Sequence, residues 1–240
     1  MLPRLYAIVD ASCFGSASAL FEYVRCLLAS GVTLIQYRNK AGSSREMLSQ
    51  AREIRRLAHV FTSRAEARSG IRQNGPAKAV PLASSDQAQR VARDSSVRGA
   101  TLIMNDRADL ALAAGFDGVH VGQDDLSVVA LRAVVGSDML VGVSTHNPEQ
   151  VAEADKPEVS YIAVGPVFAT SSKANPDPVV GLEGVRRARE LTSKPLVAIG
   201  GITRANAASV RDAGADSLAV ISDLLSSPER ACEEFLKLLG

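Results

Sequence analysis

Short runs of Val, Ile and Leu recur along the chain, and each run ends in polar residues. The runs lack the apolar–polar alternation of a half-exposed sheet, so they are typical of parallel strands that are buried on both faces. They predict eight strands, at Leu5–Val9, Thr33–Ile35, Thr101–Met104, Gly118–Val121, Leu140–Val143, Tyr161–Val164, Leu196–Ile199 and Ser217–Ile221.

Stretches with helical periodicity lie between these runs. Apolar residues recur at three- and four-residue steps, which places them on one face of a helix. Pro228 is predicted to begin the last helix, and Gly115 and Gly214 to end helices in a left-handed conformation. The two clearest apolar faces are Met47, Ala51, Ile54, Ala58 and Phe61, and Leu182, Val185, Ala188 and Leu191.

Strand and helix alternate, which indicates right-handed βαβ units and a parallel sheet. Eight strands in 240 residues fit a single (β/α)8 TIM barrel, a fold that typically needs about 250 residues. A doubly wound open sheet is the alternative. In a barrel, catalytic residues lie at the carboxyl ends of the strands, so we expect the chemistry on that face.

One stretch, at about residues 62–98, breaks this rhythm and predicts an insertion in a single domain of residues 1–240. A helix extension followed by a surface loop explains it, and a basic lid over an anionic ligand is the alternative. A nucleic-acid patch is disfavoured because the stretch lacks aromatic residues beyond its border at Phe61. Its basic residues are Arg64, Arg68, Arg72, Lys78, Arg90, Arg93 and Arg98, against Glu66, Asp86 and Asp94.

Composition narrows the classes of protein. The chain has 27 basic and 26 acidic side chains, which argues against general nucleic-acid binding. Cys13, Cys26 and Cys232 show no metal-ligand spacing, so we expect reduced thiols and a cytoplasmic protein. We expect no membrane span, because no apolar stretch reaches about 18 residues, and no cleavable leader at the N-terminus.

The second strand is followed by Gln36-Tyr37-Arg38-Asn39-Lys40. An extended segment alternates its side chains, so Gln36, Arg38 and Lys40 are predicted to converge on one side as hydrogen-bond donors. Surface solvation is the alternative for the basic residues.

Carboxylates follow the third and fourth strands, at Asp106 and Asp125. Neighbouring strands stand about 4.8 Å apart, so the two acids are predicted to share one Mg²⁺, an ion that keeps several waters and takes few protein ligands. The alternative is that these acids cap the helices that follow, a role we also consider for Asp109 and Asp124.

Phosphate-binding groups are predicted after strands 6, 7 and 8. Hydroxyls and an amine follow strand 6, although an ordinary Ser-rich loop looks similar. The loops after strands 7 and 8 form the recurring phosphate site of such barrels. His120 is predicted to be a buried, hydrogen-bonded residue, and His146 to support Ser144. The predicted phosphate-binding residues are Thr170, Ser171, Ser172, Lys173, Gly201, Ile221 and Ser222.

Taken together, these motifs closely resemble the thiamine phosphate synthase family. The resemblance implies a transferase that joins a hydroxymethylpyrimidine diphosphate to a thiazole phosphate and releases diphosphate, with Mg²⁺. The charge balance and the lack of a long apolar stretch predict no nucleic-acid or membrane partner. The matching pieces are Leu5–Asp10, Gln36–Lys40, Asn105–Arg107, Gly118–Asp125, Gly142–Ser144, Gly165–Lys173, Ala198–Thr203 and Val220–Ser222.

The resemblance also implies roles for individual residues. Asp106 and Asp125 hold Mg²⁺, and diphosphate leaves before the thiazole nitrogen attacks. Thr170, Ser172, Gly201, Ile221 and Ser222 receive the thiazole phosphate. Gln36, Arg38, Lys40, Asn105, Ser144 and Lys173 bind the pyrimidine diphosphate, and Arg38, Lys40, Lys173 and Ser144 are the expected catalytic residues. Tyr37, Asn39 and Ser171 are also expected to bind substrate.

Two departures from the family pattern lie in the loop after strand 6, where Ser172 replaces a frequent Thr and Ala169 a usual Pro. Three other functions stay open. They are a thiazole tautomerase on the same barrel, a non-catalytic regulator that binds a phosphorylated metabolite, and a sugar-phosphate isomerase. The sequence also leaves open whether copies of the chain form a homo-oligomer.

Overall fold

The structure is a computed structural model that describes residues 2–69, 99–170 and 177–240. In these ranges, eight parallel strands close into a barrel in chain order, and the first strand pairs with both the second and the last. The predicted TIM barrel is confirmed, and the open-sheet alternative is wrong. The strands are β1 (Leu5–Asp10), β2 (Leu34–Arg38), β3 (Thr101–Asn105), β4 (Gly118–Val121), β5 (Leu140–Thr145), β6 (Tyr161–Val164), β7 (Leu196–Ile199) and β8 (Ser217–Val220).

Helices surround the barrel, and their ends follow local sequence signals. Ser16 caps the first helix by accepting a hydrogen bond from the amide of Ala19 at 3.2 Å, and Pro228 begins the last helix as predicted. Gly115 ends a helix at φ 69°, and Gly214 has φ 112°. The described helices are α1 (Ala17–Ala29), α2 (Ser44–Ser69), α3 (Ala108–Ala114), α4 (Val128–Val135), α5 (Pro148–Ala154), α6 (Gly181–Leu191), α7 (Ala207–Asp212) and α8 (Pro228–Leu239).

The predicted insertion begins inside α2, which extends to Ser69. Residues 70–98 lie outside the described residues, so the surface-loop and basic-lid interpretations stay predictions. In the parts of the chain that the structure describes, no helix is long and apolar enough to cross a membrane.

The core has two layers because successive strand residues face opposite sides of the sheet. Leu5, Ala7 and Val9 of β1 pack outward against the helices, whereas Tyr6 and Ile8 face the barrel interior. The interior layer is apolar near its amino-terminal end and gives way to polar side chains where the strands end. A polar cavity therefore opens on the carboxyl-terminal face.

Gly142 makes room for the ring of Tyr161 inside the barrel. A Cβ atom at Gly142 would lie 2.0 Å from Cζ of Tyr161, and Tyr161 is fully buried. Replacing Gly142 by Ala is therefore expected to lower the free energy of unfolding by about 1–3 kcal/mol through overpacking. Denaturant unfolding measures this change. Gly15→Ala is the control, because a Cβ there meets no atom within 4 Å, and an equal loss in both variants would contradict the packing argument.

Candidate active site

A cavity of about 520 Å³ lies at the carboxyl ends of the strands, and all eight strands contribute to its wall. This volume is ordinary for a small-molecule site. The predicted residues Ser171, Ser172 and Lys173 lie outside the described residues. The predicted residues that line the cavity are Gln36, Arg38, Lys40, Asn105, Asp106, Asp125, Ser144, Thr170, Gly201, Ile221 and Ser222.

Arg38 is held at the cavity by Asp10, the residue paired with it in the register of β1 and β2. The Arg38 guanidinium donates to Oδ2 of Asp10, whose side chain is 4% exposed. Ser12 donates to Oδ1 of the same carboxylate from its amide at 3.0 Å and its hydroxyl at 2.7 Å. Asp10 therefore fixes the direction of a cationic group that faces the cavity.

The side chains of Tyr37 and Asn39 do not line the cavity. Tyr37 is fully buried in the layer between barrel and helices, where its hydroxyl donates to Gln50 at 2.5 Å. Asn39 accepts hydrogen bonds from the amides of Ala41 and Gly42 at 3.1 and 2.8 Å, so it stabilises the turn after β2. Strand alternation turns these two side chains away from the cavity, and their role in substrate binding stays a prediction.

Two carboxylates, Asp106 and Asp125, stand together at the ends of β3 and β4. Burial raises the pKa of Asp106, the neighbouring charge of Asp125 raises it further, and the Lys40 ammonium acts in the opposite direction. Nζ of Lys40 lies 2.6 Å from Oδ2 of Asp106. Ionising both carboxylates is therefore unfavourable without a nearby positive charge, and a cation bound beside them would stabilise the ionised pair.

Neither of these acids caps a helix. The N-cap residues of α3 and α4 are Arg107 and Ser127, and Asp125 instead accepts a hydrogen bond from the amide of Gly122 at 2.7 Å. Asp106 has φ 61°, a left-handed conformation that costs a non-glycine residue energy. The helix-cap alternative is wrong for both.

The other two acids considered as caps do not occupy an N-cap position either. Asp109 lies in the first turn of α3 and forms an ion pair with Arg107 at 2.6 Å. Asp124 lines the cavity. Among the described residues, no group of three or more His, Cys, Asp or Glu side chains is arranged to hold a metal ion. A cation at Asp106 and Asp125 would therefore take most of its ligands from water or substrate.

Five side chains form a hydrogen-bonded chain through the barrel, which we call the core relay: Gln36, Tyr6, Tyr161, His120 and Ser144. Nε2 of Gln36 donates to the Tyr6 hydroxyl at 2.8 Å, and the two tyrosine hydroxyls are 2.9 Å apart. Nδ1 of His120 lies 3.1 Å from the Tyr161 hydroxyl, and its Nε2 lies 2.8 Å from Oγ of Ser144. The relay thus joins two predicted site residues across the interior.

His120 is the predicted buried, hydrogen-bonded histidine, and the prediction is confirmed. Burial lowers its pKa to about 4, with the charge of Asp125 acting in the opposite direction, so the imidazole is neutral near pH 7. Tyr6 and Tyr161 were missed by sequence reasoning. Their inward positions in β1 and β6 were the available signal, because each lies one step along the strand from an outward-facing residue, Leu5 or Ile162.

His146 does not contact Ser144, whose hydroxyl bonds to His120 instead. Nδ1 of His146 lies 2.6 Å from the carbonyl oxygen of Gly165, and Nε2 lies 3.4 Å from Oδ2 of Asp177. The prediction that His146 supports Ser144 is wrong. It joins the loops after β5 and β6 instead.

The loops after β6 and β7 pack against each other at the predicted phosphate side. The amide of Phe168 donates to the carbonyl of Gly200 at 3.0 Å, and Gly201 has φ 62°. A Cβ at Gly201 would lie 2.6 Å from the carbonyl oxygen of Ala169, so only glycine fits this approach. Ser222 begins a 3-10 helix shortly after β8, and it lines the same cavity.

Comparisons with known proteins agree on one family. The family model described as thiamine monophosphate synthase matches residues 5–65 and 75–224. A thiamine-phosphate synthase from Koribacter versatilis is 55% identical over 241 residues, which cover 99% of this chain and 96% of that protein. A thiamine-phosphate synthase from Chloroflexus aurantiacus is 37% identical over 226 residues, which cover 94% of this chain and 87% of that protein.

A solved structure extends this agreement to the fold. The thiamine phosphate pyrophosphorylase from Pyrococcus furiosus is 28% identical and superposes with a TM-score of 0.74, covering 98% of this chain and 95% of that one. Sequence and architecture therefore point the same way. The chain belongs to the thiamine monophosphate synthase family of transferase enzymes.

Proposed function

We propose that the chain joins a hydroxymethylpyrimidine diphosphate to a thiazole phosphate, forming thiamine phosphate and releasing diphosphate. One observation carries the proposal: a single cavity brings together the cations of Arg38 and Lys40, the adjacent carboxylates of Asp106 and Asp125, and the loops of a predicted phosphate site. The names of the Koribacter and Chloroflexus relatives support the same activity. The partners are then two small molecules.

Arg38 and Lys40 bind the diphosphate in this proposal, with Asn105 beside them. Both cations line the cavity at the end of β2, and Asp10 holds the first of them. Lys173, which lies outside the described residues, is assigned to the same group by the family resemblance. Their charges oppose the negative charge that develops as diphosphate departs.

Asp106 and Asp125 hold Mg²⁺ in this proposal. Two adjacent carboxylates fit the ion because Mg²⁺ takes few protein ligands and completes its shell with water and phosphate oxygens. The Lys40 ammonium, which lies 2.6 Å from Asp106, supports the idea that this position attracts positive charge. When bound, Mg²⁺ would neutralise charge on the leaving diphosphate.

The second phosphate lies at the loops after β6, β7 and β8. Gly201, Ile221 and Ser222 line the cavity there together with Thr170. Backbone amides approach an anion closely at glycine positions and at helix starts. Ser172, which lies outside the described residues, is assigned to this phosphate by the family resemblance.

The reaction needs no strong base. The bond between the pyrimidine methylene and the diphosphate oxygen breaks, and its electron pair leaves with diphosphate. The lone pair of the thiazole nitrogen then forms the new C–N bond and gives a thiazolium. Holding both substrates in one cavity contributes much of the remaining acceleration, up to about 7–11 kcal/mol for ideal positioning.

The other functions left open by the sequence fit this cavity less well. A thiazole tautomerase or a regulator of one phosphorylated metabolite has no use for a diphosphate-binding pair beside two carboxylates. A sugar-phosphate isomerase needs an acid–base residue at strand 1, where Asp10 is instead committed to Arg38 and Ser12. The synthase reaction therefore gives a role to more of the residues that line the cavity than any of these three alternative functions does.

The proposal is tested by incubating the purified chain with both substrates and Mg²⁺. We expect thiamine phosphate and diphosphate to form in equal amounts, and neither to form when either substrate is left out. Absence of thiamine phosphate at saturating substrate would overturn the proposal.

The proposal also places the protein in the cytoplasm. The free thiols of Cys13, Cys26 and Cys232 are consistent with a reducing compartment.

Asp10 gives a prediction about positioning. Asp10→Asn keeps the shape of the side chain but removes the charge that orients Arg38, so kcat/KM for the pyrimidine diphosphate is expected to fall about tenfold. The KM for the thiazole phosphate should not change. Steady-state kinetics with each substrate varied in turn measures both values.

The control for Asp10→Asn is Asp216→Asn, which breaks an ion pair with Arg189 of 2.8 Å before β8, at the opposite end of the barrel. It should lower stability without changing kcat/KM. Equal kinetic losses in the two variants would show that Asp10 acts through stability alone.

A further inference from the structure

The direction of every hydrogen bond in the core relay follows from its first link. Gln36 donates to the Tyr6 hydroxyl from Nε2. Tyr6 is 1% exposed, so its own proton needs an acceptor within the protein. In the described part of the chain, the only further partner of this hydroxyl is that of Tyr161.

The remaining links then have only one arrangement. Tyr161 accepts from Tyr6, so its proton goes to Nδ1 of His120. A neutral imidazole that accepts at Nδ1 carries its proton on Nε2. That proton is donated to Oγ of Ser144 at 2.8 Å. The Ser144 hydroxyl is left with its own proton to donate.

Both ends of the core relay reach the cavity. Gln36 and Ser144 line it, and Oε1 of Gln36 accepts no hydrogen bond from the residues that the structure describes. The free end at Gln36 is therefore an acceptor, and the free end at Ser144 is a donor. Each group in the relay donates one hydrogen bond and accepts another. The donor and acceptor roles at one end therefore cannot exchange unless those at the other end exchange too.

We propose that the core relay determines specificity for the first substrate by fixing an acceptor at Gln36 and a donor at Ser144, a pattern complementary to an aminopyrimidine. An amino group donates to Gln36, and an unprotonated ring nitrogen accepts from Ser144. A 4-oxopyrimidine presents a carbonyl where the amino group should be and meets a second acceptor. This inference rests on the proposed function, and Tyr6, Tyr161 and His120 are its positioning residues.

The reverse direction of the relay has the opposite consequence. If Oε1 of Gln36 accepted from Tyr6, each link would turn round and His120 would carry its proton on Nδ1. The cavity would then present a donor at Gln36 and an acceptor at Ser144, which suits an oxopyrimidine. The position of one proton on His120 therefore distinguishes the two patterns.

The first test is ¹⁵N NMR of the histidine side chains in the substrate-free protein at pH 7, with His120→Gln used to assign the signals. We expect the proton of His120 on Nε2 and none on Nδ1. A proton on Nδ1, or on both nitrogens, would overturn the inference. This measurement needs no substrate, so its outcome is separate from that of the activity assay.

The second test measures selectivity with the diphosphates of 4-amino- and 4-oxo-2-methyl-5-hydroxymethylpyrimidine. Tyr161→Phe removes the central link and keeps the ring, so the ratio of kcat/KM values for the two compounds is expected to fall about tenfold. The KM for thiazole phosphate should not change. A ratio equal to that of the parent would overturn the inference, and Tyr6→Phe cuts the relay at another link should Tyr161→Phe fail to fold.

Tyr23→Phe is the matched control. Tyr23 is also a buried tyrosine, but it packs against Phe14 outside the cavity, and its hydroxyl has no hydrogen-bond partner in the described structure. Its removal should leave the selectivity ratio at the parent value. An equal fall in both variants would attribute the effect to the loss of any buried hydroxyl and would overturn the role of the relay.

Discussion

Replacing Arg38 by Met is expected to lower turnover by about 10²–10³-fold, the loss typical of removing one group that stabilises developing negative charge. The guanidinium faces the cavity, and its direction is fixed by Asp10. Methionine fills a similar volume without charge. Because the guanidinium opposes the negative charge that develops as diphosphate departs, the loss should appear in kcat more than in KM for thiazole phosphate.

Stability must be separated from catalysis in this variant. Arg38→Met leaves the carboxylate of Asp10 buried without its partner, which costs about 3 kcal/mol. The double variant with Asp10→Asn removes that charge and should recover much of the stability but none of the turnover. Thermal unfolding together with steady-state rates measures both effects.

The control for Arg38 is Arg107→Met. Arg107 forms an exposed ion pair with Asp109 at 2.6 Å and donates to Ser44 at 3.0 Å. It should keep the turnover of the parent. Turnover in Arg38→Met within a few-fold of the parent would contradict the assignment of Arg38 to the leaving group.

Asp125→Asn is expected to raise the Mg²⁺ concentration that gives half-maximal rate by at least about tenfold, and to lower turnover at saturating metal. Asparagine still accepts the hydrogen bond from the amide of Gly122, so the turn after β4 is kept while the negative charge is lost. A neutral ligand holds Mg²⁺ less strongly than a carboxylate. Rates over a Mg²⁺ titration measure the change.

Asp109→Asn is the control for the metal site, because Asp109 is exposed and paired with Arg107. It should have the Mg²⁺ requirement of the parent. An unchanged requirement in Asp125→Asn would show that the ion, if it is needed, binds elsewhere.

Much of the fold was predictable because buried parallel strands leave continuous apolar runs. β4, β6 and β7 begin and end where the runs do. β2 was predicted to end at Ile35 but continues to Arg38, because a strand inside a barrel stays regular while its inward side chains turn polar. The end of such a strand therefore cannot be located from its apolar residues alone, because its last residues are the polar ones of the active site.

The site was predictable where chain position alone determines it. Arg38 and Asp106 follow strands, so barrel topology brings them to one face. The register that pairs Asp10 with Arg38 could not be read from the chain. The contact between Tyr6 and Tyr161 depends on closure of the barrel, because β1 and β6 are not neighbours in the sheet.

Departure of diphosphate before the thiazole reacts is tested most directly by positional isotope exchange. The pyrimidine diphosphate carries ¹⁸O in the oxygen between the methylene carbon and phosphorus, and the chain is given this substrate and Mg²⁺ without thiazole phosphate. If the bond breaks and re-forms in the cavity, ¹⁸O should appear in the non-bridging positions of the recovered substrate, as seen by ³¹P NMR. Label that stays in the bridging position while the complete reaction proceeds at its normal rate would contradict this order of events.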